Sequence, residues 1–388
     1  MADNQNRMLR SQRKKSKPSL FTSGKVDIVF LSLLLGLLVI GLISLFSASY
    51  AYSLTNYGDS YHFIKKQAFF ALVGVGIMFV ASKVDYHIYR KFAWIIYAAS
   101  AVMLIVVLVL PPLQEGFDYK RWLKIGSFSF QPSEIAKFAI ILLFSHIISN
   151  NMKQINDWRL IGLLVGLLGF VCALVVVETH LSATLLIFSI GACLIVVGGI
   201  KVRYIVAAVG GGVALGAGAI MTGIVSYGGD RIQSWLNPWD YYRTTGWQTI
   251  QSLLSIGSGG FLGRGIGESR QKYLWVPEPH NDFIFAIVCE EVGFVGAVAI
   301  IAIFIALIWR GFKISVNAPD KFGSLMAIGL VLQVGLQAAL NIMVVTNTIP
   351  NTGISLPFFS YGGTALLMLM AQMGIVLNIS RQSSVTKS

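Results

Sequence analysis

Four groups of residues in this chain have types and spacings suited to chemistry. The richest runs Gln271-Lys272-Tyr273, then Pro277-Glu278-Pro279-His280-Asn281-Asp282-Phe283, then Glu290-Glu291. Asp282 falls where a long loop enters an apolar segment, so its carboxylate stands between water and protein interior, where it could take a proton as a bond forms. Glu290 follows eight residues on, two helical turns deeper and nearly on the same face. For Asp282 a helix N-cap is the plainer alternative, because aspartate is a preferred capping residue. A second group joins Lys120-Arg121-Trp122-Leu123 to Gln131-Pro132-Ser133-Glu134-Ile135-Ala136-Lys137. Glu134 and Lys137 share a helix face at this spacing. Charges just inside an apolar span are costly unless they are paired or line a wet cavity, so the two are a structural ion pair or part of a site. The third group, Glu178-Thr179-His180-Leu181-Ser182, reads most simply as an acid and an imidazole at a span end in the headgroup region. The fourth runs from Asn347 through Pro350, Gly353, Ser360 and Gly362 to Thr364. Proline, glycine and small polar residues at membrane depth suggest a re-entrant turn lining a cavity; the alternative is a plain external loop.

These groups must be carried by membrane helices. The 388 residues are 55% hydrophobic and only 12% charged, where a soluble chain is nearer a quarter charged. The apolar residues form blocks of about twenty, the length that crosses a bilayer of about 30 Å. The spacing predicts an all-α polytopic membrane protein of about ten spans, over 26–47, 69–81 (beginning near Phe63), 92–110, 132–148, 160–177, 181–199, 204–224, 283–309, 323–345 and 361–377. Basic residues set the orientation. Arg7, Arg10, Arg13, Lys14, Lys15 and Lys17 precede the first span, and Lys83, Arg90, Lys91, Lys153, Arg159, Lys201, Arg203, Arg310, Lys313 and Lys321 fall in alternate loops. Both termini are therefore expected in the cytosol, and the net charge of +13 reads as positive-inside bias and not as a nucleic-acid footprint. The expected organisation is a disordered basic tail over 1–25, one membrane domain over 26–380 and a short cytosolic tail over 381–388, with no cleavable signal peptide. Cys172, Cys193 and Cys289 lie inside spans as small core residues, and the scattered histidines offer no zinc spacing.

The outward loops carry the remaining information, above all 226–282 between the seventh and eighth spans. A loop that long is usually functional. Within it Trp247, Ile250, Leu253 and Leu254 recur at helical spacing while Gln248, Gln251 and Ser252 face elsewhere, the pattern of an amphipathic helix at the lipid–water interface. The glycine-rich stretch Gly263-Arg264-Gly265-Ile266-Gly267 is either a flexible turn or a nest of backbone N–H groups for a phosphate.

Together the strings KRWLKIG…FQPSEIAK, GWQTIQSLLSIGSGGFLGRGIG, QKYLWVPEPHNDFIFAIVCEEVGFVG and NTGISLPFFSYGGT resemble the SEDS family (shape, elongation, division and sporulation), from about Arg121 to the C-terminus and in order. The third string looks more like the division and sporulation branch than the elongation branch. One departure is Glu178-Thr179-His180-Leu181-Ser182, where many relatives have a Pro-Asp-Leu-Gly type string. The resemblance implies a peptidoglycan glycosyltransferase that joins lipid II disaccharides on the outer leaflet of the bacterial plasma membrane. It implies Asp282 as the essential acid, functional weight on Arg121 and Trp122, and a single-span class B penicillin-binding protein as partner. Candidate substrate-binding residues are Arg121, Trp122, Gln131, Glu134, Lys137, Arg231, Gln251, Glu278, His280, Ser360 and Gly362. The chemistry is coherent: pyrophosphate is a good leaving group, so one carboxylate base plus cations suffices, whereas hydrolysis of a poor leaving group takes two carboxyls. Arg121, Lys137, Arg231, Arg243 and Arg264 are available to phosphate oxygens, and a divalent cation (Mg or Mn) could share that task, although no multi-carboxylate cage is evident. The competing readings are a lipid II flippase and a non-catalytic division scaffold.

Overall fold

The computed structural model describes residues 24–110, 121–125, 128–201 and 232–385. The expected seventh span over 204–224 lies outside them, as do the basic N-terminal stretch, Lys120 and Arg231. Among the described residues seven helices are long and apolar enough to cross a bilayer, and two shorter apolar helices accompany them. The chain is an α-helical, multi-pass membrane protein.

Local chemistry sets the helix ends. Helix α1 (Ile28–Tyr57) starts where the Asp27 carboxylate accepts from Phe30 N at 2.9 Å. It ends at Gly58, left-handed at φ 68°, whose N–H returns to Leu54 O. Because α1 runs on to Tyr57, with Ala51 and Ser53 still buried, most of the loop expected over 51–62 is helix. Helices α2 (His62–Ala81), α3 (His87–Lys91) and α4 (Ala93–Val109) follow, then a two-stranded antiparallel hairpin, β1 (Leu123–Ile125) and β2 (Phe128–Phe130), with Leu123 opposite Phe130. Helix α5 (Pro132–Asn150) opens on a proline that needs no N–H partner in the first turn, with Glu134 at its positive end. Next come α6 (Trp158–Val177), α7 (Leu181–Val197), α8 (Trp247–Gly259), α9 (Ile284–Val316), α10 (Lys321–Val345) and α11 (Gly363–Val385).

Helix α5 lies at the centre, packed against α4, α7 and α10, and five consecutive residues from Ile140 to Phe144 are fully buried. A helix apolar and buried all round belongs to the middle of a bundle. Helix α6 buries only Leu164, Leu168, Val171 and Val175, a single stripe at helical spacing, and turns the rest outward as a lipid-facing helix does.

Helix α9 is broken at Gly293 (φ 69°, ψ −172°). The break frees two carbonyls and two N–H groups, and the glycine-rich stretch takes all four. Arg264 N and Gly265 N donate to the carbonyls of Glu290 and Glu291 at 3.0 Å, while Phe294 N and Val295 N donate to Gly260 O and Phe261 O at 2.9 and 3.1 Å. A Cβ on Gly263 would overlap Glu291 O, and one on Gly293 would overlap Gly263 N. The glycines thus serve close backbone approach. The N–H groups of Gly263, Arg264 and Gly265 are consumed inside the fold, which overturns the phosphate-nest alternative there.

Helix α8 also departs from expectation. Its polar residues Gln251, Ser252 and Ser255 are buried, and Leu254 is exposed. Ser252 Oγ donates to Val345 O at 2.7 Å and Ser255 Oγ to Ala286 O at 3.0 Å. These bonds to α9 and α10 turn the polar face inward, so α8 is part of the bundle wall and not a helix floating at the interface.

Candidate active site

Asp282 precedes α9, whose N-cap position is occupied by Phe283 without a side-chain bond, so the aspartate is not the helix cap. The string around it is held through its backbone. Tyr361 N donates to His280 O at 2.9 Å, Ser360 Oγ to Asn281 O at 2.8 Å, and Asn341 Nδ2 to Asp282 O at 2.7 Å. Beside the carboxylate sits Gly353, left-handed at φ 71°, where an added Cβ would stand 3.1 Å from Asp282 Oδ2.

The fourth group turns back into the bundle. Ile354, Leu356, Phe358, Phe359 and Ser360 are buried, and Phe358 O packs so closely on Gly41 of α1 that a Cβ there would overlap it. This is the re-entrant turn, not a plain loop, and the depth is tolerable because it lines a cavity. That cavity is walled by Glu134, Gln333, Gln337, Ser355, Ser360 and Gly362, with Leu366 and Leu369 on its apolar side. Lys137, 3% exposed, donates to Glu134 Oε1 at 2.7 Å and approaches Gln337 Oε1 at 3.4 Å. Gln337 Nε2 continues the chain to Ser355 O at 3.0 Å. Glu134, Lys137, Ser360 and Gly362 are therefore one polar cluster at membrane depth, with Asp282 at its edge beside Gly353.

The band extends through the third group. Gln131 Nε2 meets His180 Nδ1 at 3.0 Å, and Arg121 Nη2 donates to Thr179 O at 2.6 Å. Glu178 is not in a headgroup layer: it is 1% exposed, and neither carboxylate oxygen has a hydrogen-bond partner among the described residues. Burial pushes its carboxyl up to about 8, against the opposing pull of Arg121. His180 is driven down to about 3, by burial first and then by the Arg121 and Lys137 charges. Trp122, 44% exposed, stands beside Arg121 at the start of the hairpin, whose second strand accepts from Thr364 Oγ1 at Ser129 O, 3.3 Å away.

Other sequence candidates fall elsewhere. His280 is 4% exposed and boxed by the rings of Phe63, Tyr52 and Tyr361, at 4.1, 4.9 and 6.1 Å between centroids. Burial holds its imidazole down at about 4, so it is a neutral packing residue. Glu278 is exposed and accepts from Asn281 Nδ2 at 2.9 Å. Gln251 is buried on α8. Arg243 is exposed over Tyr242, and Arg231 lies outside the described residues.

Glu290 is fully buried and its carboxylate is filled. It accepts from Ser269 Oγ at 2.6 Å, Arg270 N at 3.0 Å, Ser255 Oγ at 3.2 Å and Gln271 N at 3.3 Å, with the Arg264 guanidinium at 3.5 Å. The second deep acid of the sequence is thus a loop anchor. Glu291 does the same work beside it, pairing with Lys272 Nζ at 3.3 Å and accepting from Ser47 of α1. Sequence reasoning missed Gln67 and Asn341. Gln67 receives Gly362 N and donates to Ser360 O, both at 3.2 Å. A lone amide in an otherwise apolar span was the signal that could have found them.

A lipid-embedded helical bundle with an acid-and-amide cavity, closed at one face by a stitched loop bearing a carboxylate, defines a multi-pass membrane protein with one polar site near a membrane boundary. The family profile described as "Cell cycle protein" (FtsW/RodA/SpoVE) matches residues 28–385, and the chain belongs to this family. It is 37% identical to Stage V sporulation protein E of Bacillus subtilis (strain 168), over 92% of this chain and 97% of that one. It is 34% identical to the probable peptidoglycan glycosyltransferase FtsW of Geobacter sp. (strain M18), over 91% and 96%. Among solved structures, a chain from a peptidoglycan synthase complex shares the fold at TM-score 0.78 and 23% identity, covering 92% of this chain and 98% of its own. RodA of Thermus thermophilus does so at 0.68 and 24%, covering 92% and 97%.

Proposed function

We propose that this chain is a peptidoglycan glycosyltransferase that polymerises lipid II at the outer leaflet of the bacterial plasma membrane, with Asp282 as general base. The carrying observation is the carboxylate fixed through its own backbone at the edge of a polar cavity that holds a buried Glu134–Lys137 pair. The names borne by its family relatives support the reaction class. In the reaction a sugar hydroxyl oxygen forms a bond to the anomeric carbon as the bond to pyrophosphate breaks. The hydroxyl proton passes to Asp282, and the pyrophosphate leaves with the electron pair. Arg121 lies on the same face to meet phosphate oxygens, with Trp122 offering a ring to the substrate. Among the described residues no three His, Cys, Asp or Glu side chains gather as a cation site, so every step is assigned to the chain's own groups. The proposed orientation puts both termini in the cytosol and the Asp282 face outside, where a class B penicillin-binding protein would dock.

Asp282→Asn keeps size and hydrogen bonding but removes the proton acceptor. Labelled lipid II, supplied to the protein purified with and without such a partner, should yield glycan strands, more of them with the partner. The variant should lose about 10²–10⁴-fold in rate while accumulating normally in membranes. Polymerisation by the variant at the wild-type rate would sink the base assignment. Lost translocation in place of lost polymerisation would point to a flippase.

A further inference from the structure

The three consecutive carbonyls of His280, Asn281 and Asp282 each receive a donor from a distant segment. Loop carbonyls ordinarily turn to water. Here each of the three is held from inside the fold, so the base can swing only about its side-chain torsions. The innermost donor is Asn341, fully buried on α10. Its Nδ2 serves two acceptors at once, Asp282 O at 2.7 Å and Ile354 O at 2.6 Å. One primary amide thereby ties the backbone of the base to the residue after Gly353, and Gly353 is the residue lying against Asp282 Oδ2. No other neutral side chain of this size offers two N–H groups from a single atom. Leucine would leave both carbonyls unpaired, and aspartate would set a carboxylate against them. The Asn341 Oδ1 atom is buried without a partner among the described residues, so the side chain is oriented for its donor end at the expense of its acceptor end.

We infer that Asn341 is a positioning residue for Asp282, fixing the base and the re-entrant turn against each other so that the carboxylate keeps its reach to the acceptor hydroxyl. Ser360, which holds Asn281 O and also accepts Leu356 N at 2.7 Å, acts with it. This rests on the reading of Asp282 as the base. A positioning group lowers turnover without weakening substrate binding, and a misplacement of about 1 Å can cost about 10²-fold.

The test is steady-state polymerisation of labelled lipid II by the full chain with Asn341→Leu, Ser360→Ala, Asp282→Glu and the paired variants, each normalised to folded protein by thermal melting. Asn341→Leu should lower kcat by about 10²-fold with KM held within about twofold. Combined with Asp282→Glu, which already misplaces the carboxylate, it should cost far less than the product of the two single losses. Unchanged kcat per folded molecule, or a loss that multiplies fully with Asp282→Glu, would overturn the assignment. Should Asn341→Leu fail to fold, the cycle of Ser360→Ala with Asp282→Glu decides by the same criterion. If Asp282→Asn itself polymerises normally, the base reading falls and this inference with it; full multiplication alongside an inactive Asp282→Asn removes only the positioning role.

Discussion

At the scale of single residues, burial decides which charges matter. Lys65 and Asp59 sit 2.8 Å apart with side chains 67% and 41% exposed, and such a pair contributes about 1 kcal/mol at most. Lys137 and Glu134 are nearly as close, at 2.7 Å, but with side chains 3% and 16% exposed. Removing one partner of a buried pair leaves the other unpaired in a medium that cannot hydrate it, at about 3–5 kcal/mol. Lys137→Ala should therefore lower the melting temperature in detergent well beyond Lys65→Ala, and polymerisation should fall with it. A Lys137→Ala protein that melts with wild type and retains full activity would show the pair to be neither structural nor part of the site. Glu178 is the contrasting case, since burial keeps its carboxyl protonated at neutral pH and it has no counter-bond to lose.

At the scale of elements, turns and helix ends are joined by polar groups that propensity alone would place in loops. On the face opposite Asp282, His87 links three elements. Its Nδ1 meets Asp85 Oδ1 at 2.7 Å and its Nε2 meets Asp320 Oδ2 at 2.8 Å, while Asp320 also caps α10 through Gly323 N at 2.7 Å. Gln382 of α11 donates to Asp85 at 3.0 Å, the Tyr86 hydroxyl donates to Asp320 at 3.1 Å, and the Tyr86 ring stacks on the imidazole. Hydrogen bonding to Asp320 raises the His87 pKa against the cost of burial, and Asp85 adds to it. Burial pushes Asp320 and Asp85 up, but their bonds outweigh it, to His87 and Gly323 N for the first and to Gln382 and His87 for the second, so both carboxyls end low. The signs follow. The His87 contribution is complete below its unfolded value of about 6.5 and is lost as pH rises through the higher folded value. The aspartate contributions are complete above about 3.9 and are lost as pH falls through the lower folded values. The cluster therefore stabilises most in the mildly acidic range between them, modestly because His87 is 40% exposed. Melting temperature should decline on the alkaline side in wild type and decline less in His87→Gln. Parallel alkaline limbs for the two proteins would rule the linkage out.

At the scale of the whole molecule, the bilayer made the spans legible. Blocks of apolar residues announced α1, α5, α6, α9 and α10, because a span must be apolar whatever it packs against. Asp282, Glu134 and Lys137 were legible too, since charge in such company needs a reason. The loop's interior was not. Gly263 reads as a hinge or a nest until Gly293 breaks α9 against it, and Glu290 reads as a second acid until Ser269 and the N–H of Arg270 fill it. Those facts depend on contacts between distant segments, which periodicity does not carry. Orientation, by contrast, is a whole-chain property that charge does carry. On the face opposite Asp282, Lys83, Arg90, Lys91, Lys153, Arg159, Lys201, Lys313 and Lys321 flank short turns, and the exposed rings of Trp94, Trp158 and Trp309 lie within a few residues of them. On the Asp282 face several cations are already committed within the fold, Lys272 to Glu291, Arg264 to Glu290 and Lys65 to Asp59. Short-loop cations stay in the cytosol, and those in long loops count little. Single cysteines placed at the exposed Glu268 and Asn317 positions, in a chain lacking Cys172, Cys193 and Cys289, report the two faces directly. A membrane-impermeant maleimide applied to intact cells should label the Glu268 position and spare the Asn317 position until the membrane is opened. The reverse pattern would turn the Asp282 cavity toward the cytosol, and outer-leaflet polymerisation could not be its reaction.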